Sequence, residues 1–116
     1  MLIRSQDKTA IINVDNAFNT AVRDINGTIV IQIGNSSSCC IIAEYSTKEK
    51  AIKVLDMIQK AYAKYQTIHT SAMGLATMSL FTESTNEVNE LYMKAQDILE
   101  KAVAFQMPED SEVPDD

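Results

Sequence analysis

Apolar and β-branched positions fill the first 45 residues in short runs separated by polar breaks. Residues 1–6 and 9–14 flank Asp7-Lys8, which reads as a short hairpin. Asn26-Gly27 separates the runs 17–25 and 28–33. A type I′ turn needs positive φ at both central residues, which Asn and Gly tolerate best. Beyond that turn the alternation is clean. Ile29, Ile31 and Ile33 take one face, and Thr28, Val30 and Gln32 the other. Residues 34–38 read as a loop, and Cys39 to Tyr45 as a further strand. The pattern predicts an N-terminal antiparallel meander of four or five strands.

The period then changes from two to about 3.6. Ser46-Thr47-Lys48-Glu49 fits a capping box, in which Ser46 bonds the Glu49 amide and Glu49 reaches back. Ala51, Val54, Leu55, Ile58, Ala61, Tyr62 and Tyr65 follow at helical spacing. A second capping box stands at Ser84-Thr85-Asn86-Glu87, before the stripe Val88, Leu91, Tyr92, Ala95, Ile98, Leu99, Ala102 and Val103. Residues 66–82 are ambiguous: 72–81 continue the first helix, or 77–81 form a strand. Phe105-Gln106-Met107, before Pro108, reads as a short last strand. The fold class is therefore α+β. A meander is followed by two long helices packed on one sheet face, with a C-terminal strand as an option. Residues 1–107 form a single domain, and 108–116 an acidic tail.

At 116 residues the chain is one domain's length. No apolar run approaches the roughly 20 residues of a membrane span, and the first residues do not form a secretory segment. The net charge of -6 is unevenly placed. Glu109, Asp110, Glu112, Asp115 and Asp116 leave a nearly neutral body of 11 acids and 10 bases. Such a balance works against binding nucleic acid polymers, and the tail reads as a solvated terminus. The helices differ in sign. Residues 47–65 hold five lysines against Glu49 and Asp56, and 83–101 hold five acids against Lys94 and Lys101. Opposite signs favour side-by-side packing. A sheet covered on one face leaves the other open. Apolar residues there, including 39–42, predict a homo-oligomer.

Candidate chemistry is sparse. Cys39 and Cys40 are adjacent, which strains any disulfide between them. They read as reduced, with one buried and one facing out, in a cytosolic setting. Gly27, Gly34 and Gly74 do not have a phosphate-loop spacing. One His and an adjacent Cys pair do not make a zinc site, so neither a metal nor a cofactor is expected. His69 has no motif around it and reads as a surface residue near a helix end. The two arginines, Arg4 and Arg23, both fall on strands. A guanidinium there can fork onto a phosphate or stack on a base, or simply guard an edge. Phe81 is compatible with a core ring and with a base-stacking ring. The helix starts at Ser46 and Ser84 would offer free amides to an anion.

Three pieces of the chain are more specific than their parts: "IRSQDKTAIINVDN", "IIAEYSTKEKAIKVLDMIQKAY" and "FQMPEDSEV". Their most recognisable residues are Arg4-Ser5-Gln6-Asp7, Ala43-Glu44-Tyr45-Ser46-Thr47 with Glu49-Lys50-Ala51, and Met107-Pro108-Glu109-Asp110. The chain resembles small proteins carried by phages and prophages of Gram-positive bacteria, and among them the Thoeris anti-defence family of signal sponges. The resemblance implies an α+β subunit that assembles into dimers and hexamers in the cytoplasm of a host bacterium and catalyses nothing. It implies binding of cyclic ADP-ribose isomers made by TIR-domain immune enzymes, and in some members of cyclic oligonucleotides at a separate site. By the same resemblance, Phe81 would stack on adenine, Arg23 would meet a phosphate or base at a subunit junction, and Asn86 and Asn89 would hydrogen-bond the ligand. With Arg4 and Thr85 these make the expected ligand-binding set. The family's site leans on arginines, and none follows Arg23 here, so Lys53, Lys94 or Lys101 would have to substitute. The expected partners are a small anionic nucleotide signal and further copies of the chain, with no membrane. An alternative is a phage-encoded inhibitor or accessory factor that binds a host protein. A small enzyme is disfavoured by the lack of a recognisable base–nucleophile pair.

Overall fold

The computed structural model describes residues 1–17, 19–34, 38–81 and 86–114. The fold is α+β. In chain order it has β1 (Leu2–Arg4), β2 (Ile11–Asn13), β3 (Asn19–Ile25), β4 (Thr28–Gly34), β5 (Cys39–Tyr45), α1 (Lys48–Phe81), α2 (Asn86–Ala102) and β6 (Ala104–Gln106). The N-terminal meander forms as its pattern predicts, but it divides into two three-stranded sheets. One has the order β2-β1-β6 and the other β3-β4-β5. The division falls at a turn of 3-10 helix, Val14–Asn16, where the Asn13 side chain accepts the Asp15 amide and ends β2. β6 then adds to β1 in parallel, placing Ile3 between Ile12 and Phe105.

Both hairpin turns follow from local chemistry. In the first, one Asp7 carboxylate oxygen accepts the Ser5 hydroxyl at 2.7 Å, the Thr9 hydroxyl at 2.7 Å and the Thr9 amide at 3.0 Å. That network holds Lys8 at φ 67°. In the second, Asn26 and Gly27 have φ of 53° and 89°, as a type I′ turn requires. The Asp24 carboxylate accepts the Gly27 amide.

The second sheet departs from strict alternation at one point. Its register passes from Ile31↔Ala43 to Gln32↔Ile41, so Ile42 is an extra residue in β5. The bulge lets the adjacent Ile42 and Ala43 both be buried. Ile29, Ile31, Ile33, Ala43 and Tyr45 face α1, whose Ala51, Val54 and Ile58 complete the core with Met1, Ile3, Met107 and Val113. The opposite face is mixed rather than apolar. Arg23, Thr28 and Glu44 stand there beside the exposed Ile25 and Ile41. Cys39 and Cys40 are both free and both exposed. The expectation that one is buried fails because they lie at the end of β5 farthest from the start of α1.

The ambiguous segment is helical. α1 runs 34 residues, through the stretch in which 77–81 had a strand alternative. Thr67 and Ser71 donate back to carbonyls four residues earlier, a bond that helix geometry allows. His69 therefore lies within the helix, not near its end, with its ring 5.7 Å from that of Tyr65. At about 1.5 Å per residue, α1 outruns the sheet it lies on. α2 packs along α1 and meets the first sheet at β6, with half-buried Tyr92, Ala95, Leu99 and Ala102 along its inner stripe. The radius of gyration, 17.6 Å, exceeds the roughly 13 Å of a compact chain this long, because the helical pair projects.

The first helix is capped one residue later than the pattern suggests. The Thr47 hydroxyl accepts the Lys50 amide, and the Thr47 carbonyl accepts the Ala51 amide. The Ser46 amide is taken by Asp110 at 2.7 Å. That bond belongs to a second departure: residues 107–114 are a strap packed across the start of α1, not a solvated tail. Met107 and Val113 are buried. The Tyr45 hydroxyl donates to the Pro108 carbonyl, the Lys50 ammonium to Asp110, and the Lys53 ammonium to the Pro114 carbonyl.

Candidate functional site

The residues singled out from the sequence fall in two places. Arg4 and Arg23 belong to the sheets. The Arg4 guanidinium donates from Nε and Nη2 to the Lys8 carbonyl, both at 3.2 Å, so its fork closes the first hairpin turn. Arg23 is exposed on β3, in register with Val30 and on the face away from α1. Val30 is buried between Arg23 and Glu44 of the flanking strands. The long stems of those two residues are suited to cover it.

Phe81, Asn86 and Asn89 lie at the far end of the helical pair. Phe81 ends α1 and Asn86 starts α2, and their side chains lie outside the described set. Asn89 is exposed. Thr85 and the second capping box at Ser84 fall outside the described residues. Tyr65 still packs against the core, and Phe81 comes 16 residues later, about 24 Å along the helix axis. One chain therefore does not gather the arginines and the tip residues into one site.

The anion site expected at the start of α1 is occupied from within. Asp110 presents its carboxylate to the Ser46 amide and the Lys50 ammonium, at 2.7 and 3.3 Å. The hydrogen bond from the Ser46 amide, first among the causes, holds the Asp110 carboxyl below the usual carboxylate range. Lys50, one of the five lysines of residues 47–65, is buried.

The described residues also form surface concavities. One of about 420 Å³ lies over Gln6, Asp7 and β5. Gln6 itself covers the β5 edge there. Its side-chain amide donates to the Glu44 carbonyl and accepts the Glu44 amide, both at 3.0 Å. A second, of about 310 Å³, lies between β2 and the adjoining ends of β4 and β5, with Asn13, Asn16, Cys39 and Cys40 on its walls. A third, of about 400 Å³, lies in the fork where α1, α2 and β6 meet, lined by Ala61, Lys64, Ile98, Lys101, Ala102, Ala104 and Phe105. Sequence reading missed this fork, since its seven residues come from three elements up to 44 positions apart. It also missed the strap, for which the lone apolar Val113 among acids was the available signal.

Among the described residues no three His, Cys, Asp or Glu side chains are placed to hold a metal ion, and no helix is long and apolar enough to cross a membrane. No protein-family model, curated protein or solved structure matches the chain.

Proposed function

We propose that this chain binds and sequesters cyclic nucleotide immune signals without cleaving them, as the phage Thoeris anti-defence proteins it resembles do. On this reading its ligands are cyclic ADP-ribose isomers, with cyclic oligonucleotides as a second class, and it acts in the cytoplasm of a host bacterium. The observation that carries the reading is the separation of the two residue groups. Arg23 stands on an open sheet face, while Phe81, Asn86 and Asn89 stand on a projecting helical tip. A site using both groups is made when the tip of one copy meets the sheet of another. That arrangement accounts for a helical pair reaching well beyond its own core, and it makes assembly a condition of binding. A sponge needs tight equilibrium binding and no transition-state chemistry.

The test is capture and release. Purified protein is incubated with cyclic ADP-ribose isomers and with cyclic di- and trinucleotides, washed, and heat-denatured. The released small molecule is then identified by mass. Recovery of unchanged ligand is expected, from a species that light scattering finds to be larger than one chain. Degraded ligand would make the protein an enzyme. No capture of any of these compounds would leave binding to a host protein as the better reading.

A further inference from the structure

We infer that the fork between α1, α2 and β6 binds a small organic acid with an apolar body, within a single chain and independently of the proposed nucleotide site. The fork is about 400 Å³, at the small end of the range for ligand pockets. Its lining divides sharply by chemistry. Ala61, Ile98, Ala102, Ala104 and Phe105 are apolar, and the remaining two residues are Lys64 on α1 and Lys101 on α2. Phe105 is half-buried against the core, and Ile98 is 48% exposed.

Charge decides what such a groove takes. Lys101 is held by Asp97 at 3.2 Å, one helical turn back, and that carboxylate offsets its charge. Lys64 is exposed and makes no ion pair among the described residues. The fork therefore carries two ammonium groups against one carboxylate, a balance that one further carboxylate or sulfonate would complete. The walls bring no hydroxyl, amide or carboxyl side chain besides these. A nucleobase or ribose would leave its donors and acceptors without partners on such walls, at a cost in binding. An acyl or aryl body loses nothing there and removes Ile98 and Phe105 from water. The occupant that fits is a monoanion with its charge at one end, such as a medium-chain carboxylate or an aryl acid.

The full chain is titrated with 1-anilinonaphthalene-8-sulfonate, whose fluorescence rises in apolar surroundings. Saturable binding at one dye per chain is expected. Octanoate should displace the dye and octylamine should not. In the double variant Lys64→Glu, Lys101→Glu the dye affinity should fall about tenfold or more, as expected for reversing two charges beside an anion. Both lysines are exposed, so the far-ultraviolet circular dichroism should stay unchanged. The single variant Ile98→Asn should weaken the dye by removing the apolar wall while leaving the charges in place. Capture of cyclic ADP-ribose by Ile98→Asn should equal that of the parent, which separates this site from the nucleotide reading. Displacement by octylamine as strong as by octanoate, or unchanged affinity in the double variant, would reduce the fork to a nonspecific apolar surface and overturn the inference. A leucine–aspartate peptide displacing the dye at lower concentration than octanoate would also overturn it, by making the fork a protein-docking groove.

Discussion

The Tyr45 hydroxyl donates to the Pro108 carbonyl at 2.8 Å, a buried bond between residues 63 positions apart. It joins the last residue of β5 to the C-terminal strap, just where the chain turns into α1. Burial raises the Tyr45 pKa above its ordinary value, and the charges of Asp110 and Glu112 add to the shift.

Tyr45→Phe should destabilise the fold by about 1 kcal/mol at neutral pH, because Pro108 keeps a second donor in the Gln6 side chain. The parent should also carry an alkaline dependence. The raised pKa contributes stability that is complete below about pH 10, the unfolded value, and is lost as pH rises toward the folded value. Urea midpoints between pH 9 and 11 should therefore fall more steeply in the parent than in Tyr45→Phe. Parallel slopes would place the tyrosine outside the linkage.

Asp7 gives the opposite sign. Hydrogen bonds from the Thr9 hydroxyl, the Ser5 hydroxyl and the Thr9 amide, in that order, lower its pKa from 3.8 to about 2. The stability this contributes is present above about pH 4 and is lost as pH falls toward 2. Asp7→Asn should flatten the stability profile between pH 2 and 4, read from thermal midpoints. A profile as steep as the parent's would assign the acid limb to other carboxylates.

The strap predicts that the C-terminal residues are structural. Val113 is 4% exposed and belongs to the core cluster. Val113→Ala should cost about 1–2 kcal/mol in urea unfolding, the usual effect of removing buried methyl groups. A solvated terminus would show no change.

Gly74 lies inside α1, and a Cβ built there meets nothing within 4 Å. Gly74→Ala should stabilise the protein by about 0.5–1 kcal/mol, since alanine loses less backbone entropy in a helix. A lower thermal midpoint would show that the projecting half of α1 is packed against something at that position.

The sequence alone determined the elements whose signals are local. Asp7-Lys8 and Asn26-Gly27 have the turn chemistry their hairpins require. The isoleucines of β4 alternate, and Ala51 to Tyr65 recur at helical spacing because each of these sets buries one face of one element. Residues 66–82 are ambiguous in sequence because they carry no Asp, Glu, Lys or Arg to mark a solvated face, and their hydroxyl residues are acceptable in either structure. Only the tertiary structure decided the rest. The bulge at Ile42 turns two neighbours inward, against the period of two. Asp110 reaches 64 positions back to the Ser46 amide, and the cap falls on Thr47 instead of Ser46. Lys64, Lys101 and Phe105 meet in the fork, although no spacing links them. These contacts join distant segments, and the pairing of distant segments depends on which surfaces the whole chain brings together, a quantity that no local period contains.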